Sequence, residues 1–386
     1  MIAPRDTPRL TAHHPPTGSL VRASRVGPTT SDSVVAFTTQ VHSYPALEGR
    51  FPAWTALVHH ARAEVPLSQH PRWLSILHAA LGHTVYAVET TSATGQTLGF
   101  LPLAFVESLL FGRFLVSLPY LNTNGVVAAF PEVQQQLVTR AATLAEELNV
   151  QYLELRHEVP VAHPALTVEY TEKVHLRLRL PASGEQLWKA FDPKVRNQIR
   201  KAEKAALTIH WGTQELLDDF YTVLARNMRD LGSPVYGKPL FAAILATFPN
   251  QAEIVVLRDG RQPVAAALLL HGQGRTEVPT ASSLKDYNPS CANMLMYHHL
   301  LRRAVERGQQ VFDFGRSTRG SNTFRFKKQW GAEPHPATWQ YHLVAGSHAG
   351  QMRPENPRYQ WAIRLWQRLP VWLTRQLGPR IVRGIP

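Results

Sequence analysis

The chain contains one cysteine, Cys291, in 386 residues. An internal disulfide and a zinc site built from several thiolates are therefore excluded, and a reducing compartment suits such a sequence. Long apolar runs are missing as well: nowhere do about 18 consecutive apolar residues occur, the length a spanning helix needs. The opening MIAPRDTPRLTAHHPPTGSL carries Arg5 and Arg9 without an apolar stretch, so a signal peptide is not expected and the protein is predicted to be cytoplasmic. Histidine is plentiful, yet His13/His14, His59/His60 and His298/His299 are adjacent pairs, not ligands one helical turn apart flanking a carboxylate. No metal site is expected, and no Ser-His-Asp or Cys-His arrangement announces a covalent nucleophile.

Acidic residues are also in short supply, 28 against 41 Lys and Arg, which leaves a net charge of +13. Phosphate in some form is the expected partner: RNA, a nucleotide-linked precursor or an anionic membrane surface. Charge alone does not choose among them.

Residues 1–34 are rich in Pro, Ser, Thr and Arg without periodicity and are expected to be disordered. Beyond them, Trp54, Leu57 and Val58 stand at helical spacing, and Trp73, Leu74 and Leu77 mark a second helix after Pro71. Strands are expected at His83–Glu89, Leu98–Val106 and Phe114–Leu118, with the apolar run FLPLAFVESLLF read as two core strands of a hairpin. A helix opening at Pro131 and a strand VQYLELR follow. The same order recurs later: Pro289 and Ser290 open a helix that closes at Gly308, and QQVFDFGR is the strand. In both copies an acid sits at the strand end with an arginine close behind, Glu154 with Arg156 and Asp313 with Arg316. Two similar halves follow, parted near Val159–Glu172, where prolines interrupt the pattern, with KVHLRLRL (173–180) as the first strand of the second half.

Chemistry concentrates in three stretches. In VFDFGRSTRGSNTFRFKKQWGAEP (311–334), Asp313 and Arg316 leave a buried strand into a hydroxyl-rich loop with Ser317 and Thr318, and Phe326, Lys327, Lys328 and Trp330 follow. An acid and a guanidinium at a strand's carboxyl end are well placed for an anionic or amide-bearing substrate. In FDPKVRNQIRKAEKAAL (191–207), Val195, Ile199 and Ala202 form a core stripe. Arg196, Asn197 and Arg200 occupy the free circumference, the two guanidinia one turn apart and able to fork onto a diphosphate or carboxylate. Between these blocks a Pro/Gly loop after Gly232 presents Tyr236 and Lys238.

The two blocks, in this order, resemble those of the FemAB-like acyltransferases of the GNAT superfamily, in particular the subgroup associated with exosortase/PEP-CTERM systems. The resemblance covers roughly residues 35–344. It implies an α/β (α+β) chain with two tandem GNAT-like domains, each a mixed, mostly antiparallel sheet flanked by helices. The first is expected at 35–165 and the second, carrying the motifs, at 166–345. It further implies acyl or aminoacyl transfer to an amine of a cell-envelope or exopolysaccharide precursor by direct attack. Asp313, Arg316 and Lys328 are the expected catalytic residues, with Asp313 orienting Arg316. Arg196, Asn197, Arg200, Tyr236, Ser317, Thr318, Phe326, Lys327 and Trp330 are the expected substrate ligands.

No tightly bound cofactor is expected. The approach to the Cys291 helix, SSLKDYNPS, lacks the glycines of a coenzyme A pyrophosphate turn, and HGQG (271–274) lies between strands. Coenzyme A is thus not supported, and aminoacyl-tRNA and an acyl thioester remain as donor classes. The acceptor is expected to be an anionic or lipid-linked saccharide precursor. The tail (346–386) intersperses Trp361, Leu365, Trp366, Trp372 and Leu377 with arginines and has no acid after Glu355, a pattern suited to an anionic membrane surface or to docking on the protein itself. The rival to the enzyme is a noncatalytic basic adaptor that binds RNA or a membrane surface on a GNAT-like fold.

Overall fold

In the computed structural model, residues 37–61, 64–344 and 357–386 are described. The expected disorder of residues 1–34 lies outside them. Two sheets carry the chain. The strands are β1 (Phe37–Ser43), β2 (Thr84–Ser92), β3 (Thr97–Ser108), β4 (Gly112–Val116), β5 (Val127–Ala128), β6 (Tyr152–His157), β7 (Val168–Tyr170), β8 (Lys173–Arg179), β9 (Thr208–Gly212), β10 (Ala252–Asp259), β11 (Gln262–His271), β12 (Arg275–Ser283), β13 (Val311–Thr318), β14 (Glu333–Pro336) and β15 (Thr338–Leu343). The first sheet runs β1-β2-β3-β4-β6-β15-β7 with β5 beside β3, and the second runs β14-β8-β13-β12-β11-β10-β9.

The helices are α1 (Phe51–Ala61), α2 (Trp73–Leu81), α3 (Pro131–Glu147), α4 (Gly184–Ala190), α5 (Pro193–Glu203), α6 (Leu217–Leu231), α7 (Lys238–Thr247), α8 (Ala292–Glu306), α9 (Asn322–Lys328), α10 (Pro357–Arg368) and α11 (Val371–Val382). Their boundaries follow local chemistry. Pro131 and Pro193 occupy first-turn positions where no N–H is needed, Asp192 and Ser321 cap α5 and α9 through their side chains, and α6 stops at Gly232 with φ of +76°.

The internal repeat is plain in the topology. β4 pairs parallel with β6 across α3, and β12 pairs parallel with β13 across α8; every other pairing is antiparallel. This is the mixed, mostly antiparallel pair of GNAT-like sheets expected. Two details differ from expectation. Phe100–Ser108 lie in one strand instead of two, with Leu109 and Leu110 exposed at the hairpin tip. Pro102 is tolerated because the outer neighbour of β3 changes there, from β5 at Gly99–Phe100 to β4 from Ala104 onward. In addition, β7 and β15, which lie in sequence within 166–345, close the edge of the first sheet against β6.

The halves share a core. Trp54 and Phe100, stacked at 5.2 Å, belong to one apolar cluster with Leu74 and Leu77 of α2, Phe220 of α6, Phe241 of α7 and Ile254 of β10. A second cluster covers the other face of the second sheet, joining Val195 and Ile199 of α5, Leu300 of α8, Phe312, Phe314 and Trp330. Alternation along each strand thus assigns one face of the second sheet to the first half and the other to α5 and α8.

Candidate active site

The parallel pairing of β12 with β13 ends after three residues, Arg275–Glu277 against Val311–Asp313. Beyond it the strands separate. A row of residues in register crosses the sheet at this point: Arg177, Asp313, Glu277 and Leu270. Leu270 packs in the shared core while Phe312 and Phe314, flanking Asp313, pack on the opposite side, so the row faces the first half. The backbone then bulges at Gly315, with φ of +75°, and its N–H donates to Asp313 Oδ1 at 2.7 Å. A Cβ on Gly315 would stand 3.2 Å from Asn122 Nδ2. The buried Lys327 Nζ donates to the carbonyls of Gly315 and Arg316, both at 3.1 Å, and holds the bulge from behind.

The first half closes over this opening. Ser68 donates its N–H (2.9 Å) and its Oγ–H (2.7 Å) to the two oxygens of Glu277. Asn124 Nδ2 donates to Ser68 O at 2.7 Å, and Thr123 Oγ1 lies 2.8 Å from His175 Nε2. Glu158, at the end of the first half, pairs with Arg177, whose Nε also donates to Asp313 Oδ2 at 2.8 Å. Ser68, Thr123, Glu158, His175, Arg177, Asp313 and Glu277 line an open cleft together with Tyr120 and Asn122.

The electrostatics separate the two central carboxyl groups. Burial opposes the charge of Asp313, but the Arg177 guanidinium and the Gly315 N–H outweigh it and hold the group below the usual carboxylate range. Burial pulls His175 down to about 4 despite the Asp313 charge, so its imidazole is neutral at pH 7. Glu277 moves the other way. Burial, with the Asp313 charge adding to it, pushes its carboxyl up to about 7 in spite of the two Ser68 donors. One carboxylate is permanently ionised within an ion-pair network, and its neighbour can bind or release a proton near neutrality, the property a general base needs. Among the described residues, no three His, Cys, Asp or Glu side chains gather as metal ligands.

The residues anticipated from sequence divide. Asp313 lines the cleft, but its partner is Arg177, not Arg316, because the bulge at Gly315 sends Arg316 toward the first sheet. There its guanidinium lies 3.3 Å from the centre of the Trp339 ring, which also carries Arg156 at 4.0 Å. Lys327, expected as a substrate ligand, is buried at the bulge, and burial lowers it to about 8. Lys328, expected to be catalytic, is exposed on the outer side of α9. Trp330 is core, packed edge-on against Phe191 at 5.3 Å, and Phe326 packs at 5.0 Å on Tyr297. Ser317 is buried while Thr318 is exposed at the strand end.

Arg196, Asn197 and Arg200 ride on α5, whose core stripe packs on the sheet face opposite the Asp313 carboxylate. Arg200 contacts Asn197 Oδ1 and lies over Trp188. The cationic helix and the Asp313 carboxylate do not face one hollow. Tyr236 stands one ring back from the cleft, edge-on to Tyr120 at 5.1 Å. The residues that sequence reasoning missed are Glu277, Arg177, Glu158 and Ser68. The signal for Arg177 was present in the alternation of KVHLRLRL, and for Glu277 in a lone acid within the strand RTEVPTASS.

Residues 191–328, from the first motif block to the second, match the family model for an acetyltransferase (GNAT) domain. The fold is similar over 84% of this chain to FemX (TM-score 0.58, 14% identity, all of that chain covered). It is similar over 81% to a tandem GNAT protein from the clavulanic acid biosynthesis pathway (TM-score 0.51, 10% identity, all of that chain covered). A third likeness, over 77% of this chain and 93% of the other, is to the C-terminal domain of a putative lysylphosphatidylglycerol synthetase from Agrobacterium fabrum (TM-score 0.50, 13% identity). No curated protein sequence matches. Residues 191–328 thus form a GNAT-type acetyltransferase domain, set within a fold similar to those of FemX and the tandem GNAT protein. The likeness to FemX extends over both sheets of the chain, since it covers 84% of its length.

Proposed function

We propose that the cleft transfers an acyl or aminoacyl group from an activated ester or thioester to an amine of a cell-envelope or exopolysaccharide precursor. The observation that carries this reading is Glu277, a carboxyl poised at about 7 where β12 and β13 part, beside an Asp313 kept ionised. The amine nitrogen attacks the donor carbonyl while the Glu277 carboxylate takes its proton. The tetrahedral intermediate then collapses, and the Glu277 carboxyl returns the proton to the departing oxygen or sulfur. Ser68 positions the base through its two hydrogen bonds, and burial with the Asp313 charge sets its affinity for the proton.

Coenzyme A is not favoured as the donor. The turn before α8 carries Asp286, paired with Arg226, and Tyr287, which donates to Asp259, so carboxylates flank it where a pyrophosphate would need free amides. The likeness in fold to a domain of a putative lysylphosphatidylglycerol synthetase, named for a lipid product, supports an envelope acceptor. The test is mass spectrometry of envelope glycans and lipid precursors from cells with the gene, without it, and with Glu277→Gln. An acyl or amino-acid mass increment present only with the wild-type chain is expected. Identical spectra in all three strains would refute the reading.

A further inference from the structure

The C-terminal helices do two things at once. One face docks. Thr374, Gly378 and Val382 of α11 are buried, and Gly378 lies so close to the 233–237 loop that a Cβ there would stand 2.9 Å from Val235 N. Ile363 of α10 presses on Gly232, and Arg229 Nη1 donates to Leu369 O at 2.9 Å. The other face is left in solvent with the wrong composition for it. Trp361 is 66% exposed, Leu365 53% and Trp372 62%, and Trp361 and Leu365 stand one helical turn apart. Arg364, Arg368 and Arg380 are exposed on the same two helices, and among the described residues none of them has a carboxylate partner. No acidic residue follows Glu355.

We infer that this outward face is a contact surface for an anionic phospholipid bilayer, lying in the headgroup layer. Indole rings are suited to that layer, where one end of the ring is apolar and the other wet, and arginines beside them meet lipid phosphates. No helix among the described residues is long and apolar enough to cross a membrane, so the contact is along the surface. The helices are fixed to the candidate active site: Tyr120, which lines the cleft, donates its hydroxyl hydrogen to Arg383 O at 2.9 Å. A bilayer held by α10 and α11 would therefore keep the cleft mouth at a constant place relative to the headgroups.

Co-sedimentation of the full chain with phosphatidylcholine vesicles, with and without phosphatidylglycerol, tests this without any substrate, so its outcome is independent of the transfer reaction. Partition to the phosphatidylglycerol vesicles should exceed that to pure phosphatidylcholine by about tenfold or more at low salt, with a blue shift of tryptophan emission. The triple variant Trp361→Ala/Leu365→Ala/Trp372→Ala should lose about tenfold in partition with an unchanged melting temperature, since the three side chains are exposed. Arg364→Gln/Arg368→Gln/Arg380→Gln should abolish the preference for phosphatidylglycerol. The inference fails if the wild type ignores anionic vesicles, or if the triple variant partitions undiminished. It fails equally if the face instead mediates self-association, seen as a wild-type dimer in sedimentation that the triple variant lacks, or binds tRNA with no vesicle binding.

Discussion

Replacing Glu277 by glutamine should make the protein more stable and less active at the same time, and the size of the first effect follows from the structure. A carboxyl carried from 4.5 to about 7 on folding costs nothing below pH 4.5, where folded and unfolded chains are both protonated. As pH rises from 4.5 to 7 the unfolded chain loses its proton first, and stability falls. Above pH 7 the loss is complete and amounts to about 3 kcal/mol at about 1.4 kcal/mol per pH unit. Glutamine has no proton to lose. Its carbonyl can still accept from the Ser68 N–H, and its amide can donate to Ser68 Oγ, which rotates to suit. Urea denaturation from pH 4 to 8.5 should therefore show the variant equal to wild type at pH 4 and about 3 kcal/mol more stable at pH 8. Transfer should fall by about 10² to 10⁴, the range for loss of a general base, and the limb of the wild-type pH-rate profile near 7 should vanish. Equal stability at pH 8, or a variant that keeps the wild-type pH dependence, would refute the assignment of Glu277.

Asp313→Asn removes one carboxylate from Arg177 and one like charge from Glu277. Destabilisation of about 3–5 kcal/mol is expected in urea, and the Glu277 limb of the pH-rate profile should move to lower pH. Gly315→Ala forces a side chain into a conformation with φ of +75° against Asn122, and a cost of about 1–2 kcal/mol should appear as a lower urea midpoint. Lys327→Met removes the ammonium donor from the Gly315 and Arg316 carbonyls and should cost about 2–4 kcal/mol, whereas Lys328→Met should fall within about 0.5 kcal/mol of wild type by the same measurement.

Much was legible along the chain because it is written in local periodicity. The two repeats, the helices opening at Pro131 and Pro193 and the strand at 173–179 all follow from spacing and capping chemistry that act within a few residues. Which arginine meets Asp313 did not follow. Arg316 is three residues away in sequence, yet a single left-handed glycine between them diverts it to Trp339, and the partner arrives from β8, 136 positions earlier. Glu277 is a similar case: its proton affinity depends on Asp313 of the neighbouring strand and on Ser68 of the other half, 209 positions away. The tail's composition showed an amphipathic arginine-tryptophan element, but only the packed structure divided its faces between the protein and the solvent.

Sequence by itself determined the elements and their order, since propensity and patterning belong to each segment alone, and the class of chemistry entered through the resemblance of two motif blocks to a known family. The tertiary structure decided the site. A carboxyl's proton affinity and a cation's partner are set by whatever groups stand within a few ångströms of them, and here those groups are brought together by sheet register and by the closure of one half over the other.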